Sequence, residues 1–210
     1  MKGRKFIGIA LCLLLVGCNA PAADEDAIWK PAKAGQQDIA PATDGSWFHL
    51  DAALTADRAA WYRSKLEQLN QTSLYSYAAA EDELVLRFLY LPSDGDAFVI
   101  VARIHRNARQ GEIVSIREDG GALAQHSKPL DEAQCREILQ LLKDQAFWYR
   151  DSKDTAMGSD GAEWVVECVE VERYRASARG NPRPNDPMVM IGSHLVGLCE
   201  DMDEAFKDIF

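Results

Sequence analysis

Two spacings of apolar residues alternate along the chain, and each predicts a different kind of element. Tyr62, Leu66 and Leu69, with Trp61 beside them, fall at helical intervals within Thr55–Asn70 and predict a helix with one apolar face. From Glu83 to Leu91 (ELVLRFLYL) the period shortens to two. Leu84, Leu86, Phe88 and Tyr90 line one side of a predicted strand, and Val85, Arg87 and Leu89 line the other. Turn residues follow at Pro92–Asp96, then a second strand over Ala97–His105 and a third over Glu112–Arg117, joined through Asn107–Gly111. Such short connections predict an antiparallel meander.

The next helix carries a capping-box pattern: Asp131 at the N-cap and Gln134 three residues later. Leu130 and Cys135 stand where a hydrophobic staple would join. Cys135, Ile138, Leu139, Leu142 and Ala146 form its apolar face, and Phe147-Trp148-Tyr149 closes it. After a polar loop, Asp151–Gly161, the runs Trp164–Cys168 and Arg173–Arg179 predict a hairpin, although Val171-Glu172 is poor turn chemistry. Asp186 as cap and Pro187 at the first helical position start a last helix, whose stripe is Ile191, Leu195, Leu198, Cys199, Met202 and Phe206. Helices and strands occur in separate runs. The expected fold class is therefore α+β: an antiparallel meander and a C-terminal β-hairpin packed with about three helices, as a single domain over residues 47–210.

The N-terminus reads as an address. Basic residues at Lys2, Arg4 and Lys5 precede an apolar run from Phe6 to Val16, a stretch too short to span a bilayer permanently. The following Leu15-Val16-Gly17-Cys18 resembles the lipobox of bacterial lipoproteins. That resemblance implies cleavage before Cys18 and lipidation of Cys18. Asn19, rather than aspartate, implies placement in the outer membrane, facing the periplasm. The other reading is an ordinary signal peptide. Acyl chains anchor by burying methylenes, at about 0.8 kcal/mol each. Residues 19–46, rich in Ala and Asp and punctuated by Pro21, Pro31 and Pro41, bury too little to order themselves and are expected to form a flexible tether reaching about 30 Å.

Composition then narrows the partners. The 210 residues are 47% hydrophobic and 27% charged, ordinary for one globular domain. Removing residues 1–18 takes away three basic residues and no acid, so the net charge moves from −10 to −13. A chain this acidic repels phosphate backbones, which argues against nucleic-acid partners and against a polybasic membrane contact.

The stretch containing Phe147-Trp148, Gly161, Trp164, Glu167, Tyr174, Arg179 and Pro182 resembles the C-terminal half of a group of small uncharacterised bacterial proteins. In that group a Phe-Trp pair ends a helix, and a W-x-x-E strand and a Tyr-containing strand follow. The resemblance implies a hairpin-plus-helix ending and transfers no catalytic role.

Candidate chemistry is sparse. With Cys18 lipidated, three cysteines remain. A Cys168–Cys199 disulfide is the leading expectation, with Cys135–Cys199 and three buried thiols as alternatives. His49, His105, His126 and His194 are scattered, and no metal, cofactor or catalytic residue is assigned. Arg87 and Arg103 are expected to face each other across the first hairpin, making a basic patch. Glu163, Glu167, Glu170 and Glu172, with the C-terminal acids Glu200–Asp208, are expected to make an acidic one. The expected function is a non-enzymatic protein-binding module, in its sharper form an inhibitor or immunity protein against a basic wall-degrading enzyme. Two alternatives stand beside it: an envelope glycan- or lipid-acting hydrolase using acids of the Glu163–Glu172 region, and a structural factor in envelope assembly.

Overall fold

Nine of the ten residues of β1 (Glu83–Pro92) are buried. A strand hidden on both faces must have neighbours at both edges and layers above and below. In the computed structural model β1 lies inside a six-stranded antiparallel sheet of order β4-β3-β2-β1-β5-β6. The other strands are β2 (Phe98–His105), β3 (Gln110–Asp119), β4 (Ala122–Leu130), β5 (Ala162–Glu170) and β6 (Arg173–Gly180). Helices α1 (Ala56–Gln68), α2 (Glu132–Asp144) and α3 (Pro187–Gly197) complete the α+β fold. The structure describes residues 46–48, 56–107, 109–149, 161–171, 173–199 and 202. The lipobox, residues 19–45 of the tether, Phe206 and the acids Glu200, Asp201, Asp203, Glu204 and Asp208 lie outside these residues.

The strand alternation gives the sheet two cores. On one face Tyr62 and Leu66 of α1, with Phe48, Leu69 and Leu74, cover Val85, Leu89, Val99, Val101, Val165 and Val169. Trp61, expected on that apolar stripe, turns outward and is 39% exposed. On the other face α2 packs on β3, and α3 packs on β5 and β2. Beneath α3 lies an aromatic group of Phe88, Tyr90, Phe98 and Trp164, with ring centroids 5.0–5.9 Å apart. Gly192 makes that approach feasible. A Cβ there would lie 2.8 Å from Phe88 Cζ and 2.9 Å from Trp164 Cζ3.

Both predicted helix starts are present as read. The Asp131 carboxylate accepts from the Gln134 N–H at 2.8 Å, and the Gln134 side chain accepts from the Asp131 N–H at 3.1 Å. The Asp186 side chain accepts from the Met188 N–H at 2.8 Å, with Pro187 in the first turn. The α2 face stops short of the expected Ala146: the helix ends at Asp144, and Ala146 is exposed in a left-handed conformation with φ +49°.

One element has no counterpart among the predicted strands. β4 (ALAQHSKPL) lacks an apolar side because it sits at the sheet margin, exposed for most of its length. Its local signal is the preceding pair Gly120-Gly121, at φ +60° and +86°, which forms the two-residue turn suited to a right-twisted hairpin.

Candidate functional site

The two basic residues and three of the four hairpin acids proposed as partner surface are placed differently from expectation. Arg87 and Arg103 do not face each other. The β1–β2 register pairs Arg87 with Val101 and Arg103 with Val85, and β5 brings Glu167 opposite Arg87 from the other side. Both Arg87 and Glu167 are 1% exposed. Arg87 donates from Nε and Nη2 to one Glu167 oxygen at 2.8 and 2.6 Å, and from Nη1 to the Thr72 carbonyl at 2.6 Å. The Tyr174 hydroxyl donates to the other Glu167 oxygen at 2.8 Å, and the Tyr75 ring lies 4.8 Å from that of Tyr174. Burial, and then the neighbouring Glu167 charge, push the Tyr174 phenol well above its ordinary range.

Glu163 is held the same way nearer the surface, accepting from the Arg58 guanidinium and the Tyr62 hydroxyl of α1. Glu170 is buried and accepts from Arg106 at 2.9 Å and from Arg173, whose guanidinium stacks 4.1 Å from the Trp148 ring. Arg103 is half-buried with Glu112 beside it in the β2–β3 register, and Glu172 lies outside the described residues. Glu163, Glu167, Glu170 and Arg87 therefore bind the hairpin to the rest of the domain and offer little to a partner. Each is a charge in a largely buried strand, and such a charge stays buried only when paired. The same burial removes Glu167 from any catalytic role on a substrate in solvent.

What sequence reading missed were the partners Arg58, Tyr62, Arg106, Arg173 and Tyr174. Arg58 and Glu163 stand 105 positions apart, Arg87 and Glu167 80. No local spacing records such pairs. The available signal was the lone charge itself: Arg87 inside ELVLRFLYL and Glu167 inside WVVECVE each demand an opposite charge from somewhere.

Cys135, Cys168 and Cys199 are all buried, and no disulfide joins them. Cys168 sits among Glu170, Arg173 and Arg106 near the end of β5, whereas α3, which leads to Cys199, crosses the sheet at Trp164 and Phe88. Burial pushes the Cys168 thiol up, so it is protonated and unreactive.

Three exposed acids, with the half-buried Glu118, gather elsewhere. Antiparallel order puts the β1–β2 and β3–β4 turns at one end of the sheet, bringing Asp94, Asp96, Glu118 and Asp119 to a common rim. Continuing the Phe98–Arg117 register past the strand end sets Asp96 beside Asp119. None of the four forms an ion pair among the described residues. The opposite end differs: Arg106 pairs with Glu170, and Arg109 with Glu132 at 2.9 Å. A small depression of about 280 Å³, open solvent included, lies at the start of α3 between Arg175, Arg179, Asp186 and Met188. Among the described residues no cluster of three or more His, Cys, Asp or Glu is arranged to hold a metal ion. Compared with protein-family models and with curated proteins, the chain matches none.

Proposed function

We propose that this protein is a lipoprotein anchored through Cys18 to the outer membrane and facing the periplasm, where its domain binds a basic envelope or secreted protein without catalysing a reaction. The observation that carries the reading is a net charge of −10, or −13 once residues 1–18 are removed, on a chain whose Leu15-Val16-Gly17-Cys18 resembles a lipobox. Glu163, Glu167 and Glu170 are taken up by arginines of the same domain, and the rim acids Asp94, Asp96, Glu118 and Asp119 remain to meet a cationic partner. Clustered like charge of this kind raises encounter rates with an opposite surface and yields to salt. A basic wall-degrading enzyme is the partner with matching charge and location, and occluding it would protect the wall.

The test is capture of partners by the lipidated protein from detergent-solubilised envelope and from competitor secretions, at low and moderate salt. A basic protein released as salt rises, and no longer captured by the Asp94→Asn, Asp96→Asn, Asp119→Asn variant, supports the reading. Capture unaffected by the triple variant moves the contact elsewhere. Failure to bind or inhibit any wall hydrolase at low salt overturns the inhibitor form.

A further inference from the structure

Alternation along β6 sends Tyr174, Ala176 and Ala178 toward the α1 side and turns Arg175, Ser177 and Arg179 to the opposite face. There the three line the depression at the start of α3, with Gln145 from just past α2 and with Asp186. An arginine on an edge strand ordinarily reaches water, yet Arg179 is 7% exposed and Ser177 8%. Polar groups enclosed to this degree need partners.

Two donors in this row await an acceptor. Among the described residues the Ser177 hydroxyl makes no hydrogen bond. Arg175 donates from Nη1 to the Trp148 carbonyl at 3.3 Å, and its Nε is buried without an acceptor. The two residues stand two positions apart on one strand face, about 7 Å, a gap that one small acceptor group and two hydrogen bonds can span. Charge then states what kind of acceptor fits. Two guanidinium groups and one carboxylate line the depression, a net charge of +1. The carboxylate, Asp186, is committed elsewhere: Oδ1 accepts from the Met188 N–H at 2.8 Å, and Oδ2 stands 3.9 Å from Arg179 Nε, too far for a hydrogen bond. A water molecule would meet the donors and leave the charge, a metal cation would add to it, and a phosphate dianion would overshoot it. A carboxylate answers both needs.

We infer that this depression binds a monocarboxylate. Its oxygens accept from Ser177 Oγ and from the Arg175 and Arg179 guanidinium groups, in charge-assisted bonds stronger than those between neutral groups. Its carbon chain lies against Phe147, Met188 and Ile191, which also line the depression. That apolar wall is a second reason for a carboxylate, because a free phosphate is oxygen on every side. A short-chain acid and the C-terminus of a peptide present the same group, and the experiment separates them. None of the rim acids lines this depression, so the inference stands independently of the function proposed above.

The experiment uses the full chain in detergent, read by amide NMR. Propionate should shift the amides of Arg175–Arg179 and Met188 to saturation, and propionamide at the same concentration should not. Chloride at matched ionic strength controls for screening. Inorganic phosphate should bind more weakly than propionate. Ser177→Ala, a change small enough to keep the fold, should weaken propionate binding about tenfold, the loss of one hydrogen bond to a charged group. Arg175→Met should weaken it further, and circular dichroism checks that both variants are folded. Acetyl-glycyl-alanine with a free C-terminus, compared with its amide, separates the two sources. Tighter binding than propionate supports a chain end as the ligand, and weaker binding supports a free acid. No saturable shift with propionate, equal shifts with propionamide or chloride, tighter binding of phosphate, or a Ser177→Ala protein that binds like the wild type overturns the inference.

Discussion

Replacing Glu167 by alanine probes the most deeply buried ion pair among the described residues. The substitution removes the acceptor of two Arg87 bonds of 2.8 and 2.6 Å and of the Tyr174 hydroxyl bond of 2.8 Å. Arg87, 1% exposed, is left with the Thr72 carbonyl as its one remaining described acceptor. A buried charge stripped of its counterion costs about 3–5 kcal/mol, against a total stability of about 5–15 kcal/mol for a domain. Glu163→Ala should cost less, because Glu163 and Arg58 keep 14% and 29% side-chain exposure and water can replace the missing partner. The denaturation midpoint in urea, read at constant slope, gives both values. Replacing the network together (Arg87→Met, Glu167→Leu, Tyr174→Phe) removes the unpaired groups as well as the pair. It should recover most of what Glu167→Ala loses, since well-packed apolar side chains often equal a buried ion pair. A Glu167→Ala protein within about 1 kcal/mol of the wild type would refute the reasoning, because a loss that small is what an exposed pair produces. The same experiment bears on catalysis. A fall in any measured turnover with Glu167→Ala reports unfolding unless the folded fraction is shown to be unchanged.

Three further outcomes are expected. Gly192→Ala pushes a methyl against the Phe88 and Trp164 rings, themselves packed on Tyr90 and Phe98, and should cost about 1–3 kcal/mol in a thermal or urea transition; a neutral substitution would mean that α3 can lift from the sheet without loss. The Tyr62 and Tyr174 phenols are raised above the ordinary value near 10, first by burial and then by Glu163 and Glu167 respectively. Their contribution to stability is complete below about pH 10, where folded and unfolded chains both hold the protons. It is lost progressively above that, as the unfolded chain releases protons that the folded chain keeps. Tyrosinate absorbance should therefore show these two phenols ionising only with unfolding, and their ordinary titration in a folded protein would contradict the assigned burial. Finally, Cys135, Cys168 and Cys199 should react with a thiol reagent only after denaturation, without prior reduction; a requirement for reductant would restore the disulfide expectation.

What could be read from the sequence was the structure that neighbouring residues specify. Asp131 with Gln134, and Asp186 with Pro187, start helices through bonds spanning two or three residues, and those starts are found where they were expected. The runs at β1, β2, β3, β5 and β6 likewise identify strands, and the alternation along β1 identifies its two faces, because alternation is a property of one strand alone. β4 escaped because an edge strand has no buried face to write into its sequence, and only Gly120-Gly121 marked it.

Strand order was a decision of the tertiary structure. Placing β5, which starts at Ala162, beside β1, which ends at Pro92, sets Glu167 against Arg87 and turns two apparent surface charges into an internal pair. The same order assigns Asp94, Asp96, Glu118 and Asp119 to one rim and puts β4 at the margin of the sheet. The physical reason is that a lone charge in an apolar strand states a need without naming its partner. Which partner meets that need depends on how distant strands pair, and no local spacing carries that information.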